Sequence, residues 1–163
     1  MTINIRNYNP EDWKQVSKIY RQGIKTKNAT FEVNVPPKNE WEAKQIPGCT
    51  LIAEIENEIV GWASITFVSA RKVYKGVGEV SVYISLSHTG KGVGKLMLEK
   101  LIKAADKHNV WTLQASIFPE NSPSIKLHLS CGFREIGYRE KIGKMDGVWR
   151  DTLLLERRSK TLF

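Results

Sequence analysis

The run His88-Thr89-Gly90-Lys91-Gly92-Val93-Gly94-Lys95 joins a strand-like stretch, Glu79–Ile84, to a long segment of helical apolar spacing. Three alternate glycines at such a junction carry a high backbone-entropy cost, so the chain must use the freedom they give. A helix opening here leaves its first N–H groups without intrahelical acceptors. With Lys91 and Lys95 beside them, those groups make a ready anion site. The run therefore demands a fold in which a strand leads straight into a helix N-terminus. The anion that suits such a nest of main-chain N–H groups is a phosphate or pyrophosphate. Two common phosphate motifs do not fit. No acidic strand end completes a dinucleotide fingerprint, and Leu96 stands where a P-loop needs Ser or Thr. The alternative is an ordinary flexible strand-to-helix loop.

At 163 residues and 41% hydrophobic content, the chain suits one domain, residues 1–163, with a real core. Its apolar runs are too short to span a bilayer. Met1-Thr2-Ile3-Asn4-Ile5-Arg6 reads as a strand rather than a signal peptide. Cys49 and Cys131 lie far apart and match no metal-ligand spacing, so no metal site is expected. Free thiols point to a reducing cytoplasm. The net charge of +8 favours an anionic partner. Nucleic acid would require a clustered basic footprint. The positive residues are dispersed apart from Arg157-Arg158 and Lys160, so a cofactor carrying several phosphates is the better match.

Ile3–Arg6 alternates as a first strand. Asn9-Pro10-Glu11-Asp12 then caps a helix carrying Trp13, Val16, Ile19 and Tyr20, which Gly23 weakens near its end. Asn28–Pro37 has no lasting period, and a weaker helix is expected around Glu40–Gln45. Strands Thr50–Ile55 and Ile59–Phe67 flank a tight turn at Glu56-Asn57-Glu58. Arg71–Gly78 reads as a loop before the strand Glu79–Ile84. The helix Gly92–His108 buries Val93, Leu96, Met97, Leu101, Ala104 and Ala105. Trp111–Ile117 follows as a strand, implying a parallel crossover. Ser122–Leu129 is a short helix closed by Gly132. Phe133–Tyr138 and Val148–Glu156 make a final antiparallel pair with a turn at Asp146-Gly147. The class is α/β, a mixed sheet with helices.

Along Glu79–Ile84, Val80, Val82 and Ile84 share one face, and Glu79, Ser81 and Tyr83 share the other. A carboxylate on an inner strand beside a phosphate loop suits a general base. The alternative for Glu79 is solvent at the strand's beginning. His128 on the short helix is either a proton donor to a leaving group or a half-buried packing residue. Tyr20, Phe31, Trp62 and Tyr83 either wall a pocket or fill the core. Trp111 and Trp149 read as structural.

With these residues in place, the chain resembles the GNAT superfamily of acyl-CoA-dependent N-acyltransferases. Within it, the chain resembles the phosphinothricin and methionine-sulfoximine acetyltransferase branch over about residues 3–157. Ala29-Thr30-Phe31-Glu32 matches that branch's substrate-side segment. Glu79-Val80-Ser81-Val82-Tyr83-Ile84 matches its central strand, and Gly90-Lys91-Gly92-Val93-Gly94 its pyrophosphate loop. Asn121, Ser124, Leu127-His128 and Cys131-Gly132-Phe133 match the terminal-helix pattern, and Lys144–Asp151 the last hairpin. Thr89 departs from the Arg or Gln usual there. His128 stands where the superfamily often has tyrosine and this branch often has histidine.

The resemblance implies a mostly antiparallel mixed sheet whose two parallel strands splay apart, with helices on its flanks. It implies acetyl-CoA as cofactor, held by Val82, Tyr83, Ile84, Thr89, Gly90, Lys91, Gly92, Val93, Gly94, Lys95, Asn121 and Ser124. Glu79 is the implied base, the Val82 N–H the oxyanion donor, and His128 the group that protonates or orients the sulfur. The implied substrate is a small amino-acid-like amine contacting Phe31, Glu32 and Tyr83. Its carboxylate or its phosphinate-like group would meet Arg71, Lys72, Lys75 or Arg150. A homodimer is implied as well. Rival readings are a polyamine or protein-amine acetyltransferase, a non-catalytic CoA-binding domain, and a nucleic-acid-binding module.

Overall fold

The computed structural model describes residues Met1–Phe163. The strands are β1 (Asn4–Asn7), β2 (Gln45–Ile55), β3 (Glu58–Phe67), β4 (Val77–Ile84), β5 (Thr112–Ile117), β6 (Arg134–Met145) and β7 (Val148–Arg158). The helices are α1 (Trp13–Lys25), α2 (Lys38–Ala43), α3 (Val93–Lys107) and α4 (Ser122–Ser130). All strands join one sheet in the order β1-β2-β3-β4-β5-β7-β6. Only β4 and β5 run parallel; every other pair is antiparallel. This is the mixed, mostly antiparallel α/β architecture expected above.

Strand alternation divides the core between the two faces of the sheet. On one face, Val93, Met97, Leu98, Leu101, Ile102 and Ala105 of α3 pack with Ala63, Ile65, Val80, Leu113 and Leu155. Leu98 and Leu101 are wholly buried, and each contributes roughly 2 kcal/mol. On the other face, Val16, Ile19, Tyr20 and Ile24 of α1 meet Trp41, Ile52 and Trp62. Leu96 and Ala104, expected in the buried stripe, are only half-buried; Leu98 and Ile102 fill that role. Helix α3 packs across β2, β3 and β4 together, and this contact face centres on Leu98, Leu101 and Ile102.

Several boundaries moved. A short 3-10 turn, Pro10–Asp12, precedes α1, which runs through Gly23 to Lys25. A Cβ at Gly23 would stand 2.6 Å from ring atoms of Tyr83, so this glycine lets α1 lie directly on β4. The weak helix lies at Lys38–Ala43, and Gln45 opens β2, well before Thr50. The β2–β3 turn is the pair Glu56-Asn57, both at positive φ, which matches hairpin twist. Strand β6 does not stop at Tyr138. A register shift between Arg139 and Gly143, with Lys141 at φ 48°, absorbs its polar middle, and pairing resumes to Met145. Trp149 is not a core residue: it is 57% exposed, with the Lys144 ammonium 5.6 Å from its ring centroid.

The Arg6 guanidinium ties the sheet edge to α1. It donates to Asp12 at 2.7 and 2.9 Å and to Glu54 at 2.9 and 2.7 Å. These bonds hold both carboxyls below the ordinary carboxylate range, Arg6 being the largest cause in each case. The stability they confer is therefore complete above that range and is lost as pH falls through the lowered values. In thermal melts, Arg6→Met is expected to lower Tm by roughly 5 °C at neutral pH. It is also expected to flatten the acid limb below pH ~4. An acid limb identical to wild type would show that other carboxyls govern acid unfolding.

Candidate active site

The site begins as a mismatch in strand pairing. β4 and β5 are in register only at Val77/Thr112, Gly78/Leu113 and Glu79/Gln114. Beyond Glu79 both strands continue, to Ile84 and Ile117, without pairing to each other. On its other edge β4 stays paired with β3 as far as Ile84/Gly61. The Ser85 N–H donates to the Val60 carbonyl at 2.8 Å, and the Thr112 N–H to the Gly76 carbonyl at 3.1 Å. Backbone groups alternate edges along a strand. The N–H and C=O of Val80, Val82 and Ile84 therefore face the gap. A cleft of about 430 Å³ opens there, lined by the segment 29–32, by β4, by β5 and α4, and by the β6–β7 hairpin.

Below the gap lies the glycine run. Gly90 has φ +73° and Gly92 φ +81°, conformations that L side chains rarely adopt, and Gly92 is the residue from which α3 starts. A Cβ at either would meet nothing within 4 Å, so the requirement is conformational and the space in front of the loop is open. The N–H groups from Gly90 to Lys95 find no acceptor within the chain, while Lys91 and Lys95 are exposed beside them. Val93 offers only its N–H, because its side chain is 1% exposed in the core. The Thr89 hydroxyl donates to the Leu86 carbonyl at 3.2 Å and so shapes the turn that enters the loop. Open main-chain edges above and a nest of N–H groups below suit an extended ligand with an amide-bearing arm and a diphosphate.

Glu79 sits at the last paired position, half-buried and within the cleft, not at the strand's beginning. Gln114 Nε2 donates to its Oε1 at 3.3 Å, and no cation pairs with it. Tyr83 shares its face, stacked on Trp62 with centroids 4.6 Å apart and 5.0 Å from Tyr20. Burial first, then the neighbouring negative charge of Glu32, pushes the Tyr20 phenol up to about 12. Burial likewise raises the Tyr83 phenol, so both rings stay neutral. Phe31 stands edge-on to Phe118 at 4.8 Å and lies over Gly143. Phe31 and Tyr83 line the cleft, whereas Tyr20 and Trp62 support it from behind.

His128 is 4% exposed and lines the cleft. Its Nδ1 lies 2.7 Å from the Ser124 carbonyl, which can only accept, so Nδ1 carries the proton and Nε2 the lone pair. Burial lowers its pKa below the ordinary value, outweighing the Ser124 bond. The ring is therefore neutral at pH 7, with Nε2 an acceptor. Asn121 caps α4 by accepting the Ser124 N–H at 3.3 Å and donates to the Asn28 carbonyl at 3.1 Å.

Two expected substrate contacts lie outside the cleft. Arg150 donates to the Lys27 carbonyl at 2.8 Å, to Asn28 Oδ1 at 3.0 Å and to Glu120 at 3.3 Å. Its guanidinium also stacks 3.9 Å from the Phe118 ring centroid. It is a brace between β7 and the substrate-side segment, with both terminal nitrogens already engaged. Arg71, together with Lys72 and Lys75, lines a separate open depression beside Phe67 and packs over Tyr74 at 5.4 Å. The cleft wall includes Arg139 and Thr152, which sequence reasoning did not single out. Arg139 sits in a polar run past the expected end of its strand. The consecutive leucines 153–155 leave the alternation around Thr152 unreadable.

The acetyltransferase (GNAT) family model matches residues 13–133, most of the chain and all of the splayed-strand and glycine-loop region. The chain belongs to the GNAT acetyltransferase family. This GNAT enzyme is 30% identical to a phosphinothricin N-acetyltransferase from Alcaligenes faecalis over 94% of its length and 81% of the relative's. It is 28% identical to an L-methionine sulfoximine/L-methionine sulfone acetyltransferase from Salmonella typhimurium over 94% and 93% of the two chains. It also superimposes, with TM-score 0.87 and 26% identity, on a GNAT phosphinothricin acetyltransferase from Sinorhizobium meliloti solved in complex with acetyl-CoA. That match covers 100% of this chain and 96% of the other. The protein is an acetyl-CoA-dependent N-acetyltransferase of GNAT type. The nest at Gly90–Lys95 and the open strand edges fit that cofactor's diphosphate and pantetheine arm.

Proposed function

We propose that this GNAT enzyme acetylates the α-amino group of a small amino-acid-like substrate of the phosphinothricin, methionine sulfoximine or methionine sulfone type. The observation that carries the reading is Glu79, an unpaired carboxylate at the point where β4 and β5 part, in one cleft with Phe31, Glu32 and Tyr83. The relatives' names support the substrate class. Acetyl-CoA, when bound, supplies the acyl thioester. An ammonium cannot attack a thioester, so Glu79 takes its proton, directly or through one water. The freed amine would then bond to the acyl carbon as the C–S bond breaks, its second proton leaving with the sulfur as the thiol. The Val82 N–H, aimed into the gap, donates to the acyl oxygen as it gains charge. His128 is a neutral acceptor held by Ser124, an arrangement that favours orienting the sulfur or the amine over protonating the departing sulfur.

The same reading includes a cytoplasmic setting, in keeping with two unpaired cysteines, and a homodimer. The exposed Tyr138, Ile142, Val148 and Trp149 along β6 and β7 support the dimer. Sedimentation of the purified protein at micromolar concentration tests it, and a monomer throughout removes it.

The substrate class is tested by a panel of amines with acetyl-CoA, reading thiol release together with the intact mass of each product. Turnover is expected with methionine sulfone, methionine sulfoximine or phosphinothricin. Turnover confined to polyamines or peptides would replace the substrate class.

A further inference from the structure

We propose that Arg139 and Thr152 form a carboxylate subsite in the cleft, through which the enzyme reads its substrate as an α-amino acid and not merely as an amine. This rests on the N-acetyltransferase reading above and sharpens its substrate class.

The first observation is a hydroxyl without a partner. Thr152 is 5% exposed, its Oγ1 is fully buried, and no group of the protein hydrogen-bonds to it. Buried polar atoms are nearly always paired, so an orphan in the wall of a reaction cleft calls for a ligand. The second observation is a cation without a partner. Arg139 is exposed at the cleft wall and makes none of the chain's ion pairs and none of its side-chain hydrogen bonds, so its guanidinium is free to meet a ligand there.

Backbone geometry brings the two together. Arg139 and Thr152 are paired opposite each other across β6 and β7, so their side chains share one face of the hairpin. The β6 bulge begins at Arg139 and is fixed by the Lys141 N–H, which donates to Asp151 Oδ1 at 2.7 Å. A bulge of this kind re-aims the side chain at its edge.

The cleft's charges then sort the substrate. Its titratable residues are Glu32, Glu79, Tyr83, His128 and Arg139. With both tyrosine and histidine neutral, Arg139 is the one cation among the lining residues, which include two carboxylates. An α-amino acid brings an ammonium for Glu79 and, one carbon away, a carboxylate for a guanidinium and a hydroxyl donor. A polyamine would set a second ammonium against Arg139.

The test compares an amino acid that the wild type acetylates with the amine lacking only its carboxyl group. The readout is the ratio of their kcat/KM values, with Tm and the KM for acetyl-CoA as controls. Arg139→Gln is expected to lower that ratio at least about tenfold, mainly through KM for the amino acid. Thr152→Val, which removes the hydroxyl at constant shape, is expected to lower it by about threefold to tenfold. Arg139→Lys should recover part of the Arg139→Gln loss by restoring charge without the planar fork. An unchanged ratio in both variants overturns the subsite and leaves the parent reading intact. A wild type that acetylates no α-amino acid overturns the parent reading, and the subsite with it.

Discussion

Replacing Glu79 with glutamine is expected to lower kcat by roughly tenfold to a hundredfold while acetyl-CoA binds as before. The substitution is nearly isosteric, and its amide oxygen can still accept the Gln114 Nε2 bond now 3.3 Å long. What disappears is the anionic oxygen that takes a proton from the amine. The glycine nest and the open edges of β4 and β5 do not depend on that charge. Calorimetric titration with acetyl-CoA and steady-state thiol release separate the two effects. The residual activity should rise with pH, as more amine arrives already deprotonated. A variant matching the wild-type rate at every pH would take Glu79 out of the mechanism.

Gly92→Val should fail in the opposite way. Gly92 has φ +81°, where a β-branched residue is strongly disfavoured. Relieving that strain turns the N–H groups of Gly92, Val93 and Gly94 away from a common point. Each charge-assisted bond lost to a phosphate oxygen is worth about 1.5–3 kcal/mol, so the Kd for acetyl-CoA should rise roughly tenfold to a hundredfold. A Cβ at this position meets nothing within 4 Å, so the loss should come from backbone strain, and Tm should fall by about 2–4 °C for each kcal/mol of it. S-acetylpantetheine lacks the diphosphate, and its kcat/KM should respond much less. Equal losses with both acyl donors would show that the nest does not hold the diphosphate.

These two variants probe the parts of the site that were readable in one dimension. The glycine run announced itself through residue type and spacing, because positive φ is cheap for glycine alone. Glu79 was readable because it stands on the strand that feeds that run. Both are local features. The gap that gives them meaning is not local: it arises where the parallel register of β4 and β5 ends at Glu79/Gln114, between segments about 35 residues apart in the chain. The tautomer of His128 is equally non-local in its cause. It depends on burial against Phe133 at 5.1 Å and on the Ser124 carbonyl, and it leaves Nε2 as a hydrogen-bond acceptor.

Arginine chemistry shows the division most clearly. Arg71, Arg139 and Arg150 are indistinguishable as residue types, and any of them could pair with a carboxylate. Packing engages Arg150 with Lys27, Asn28 and Glu120, places Arg71 in a different depression, and leaves Arg139 unpaired in the cleft. From the chain alone one reads the α/β class, the phosphate nest, the candidate base by its strand position and the family resemblance, since each follows from short-range spacing. Which cation lines the cleft, which hydroxyl is left without a partner and where the sheet opens were decided only by tertiary structure. Those properties depend on register and burial between segments that spacing along the chain does not encode.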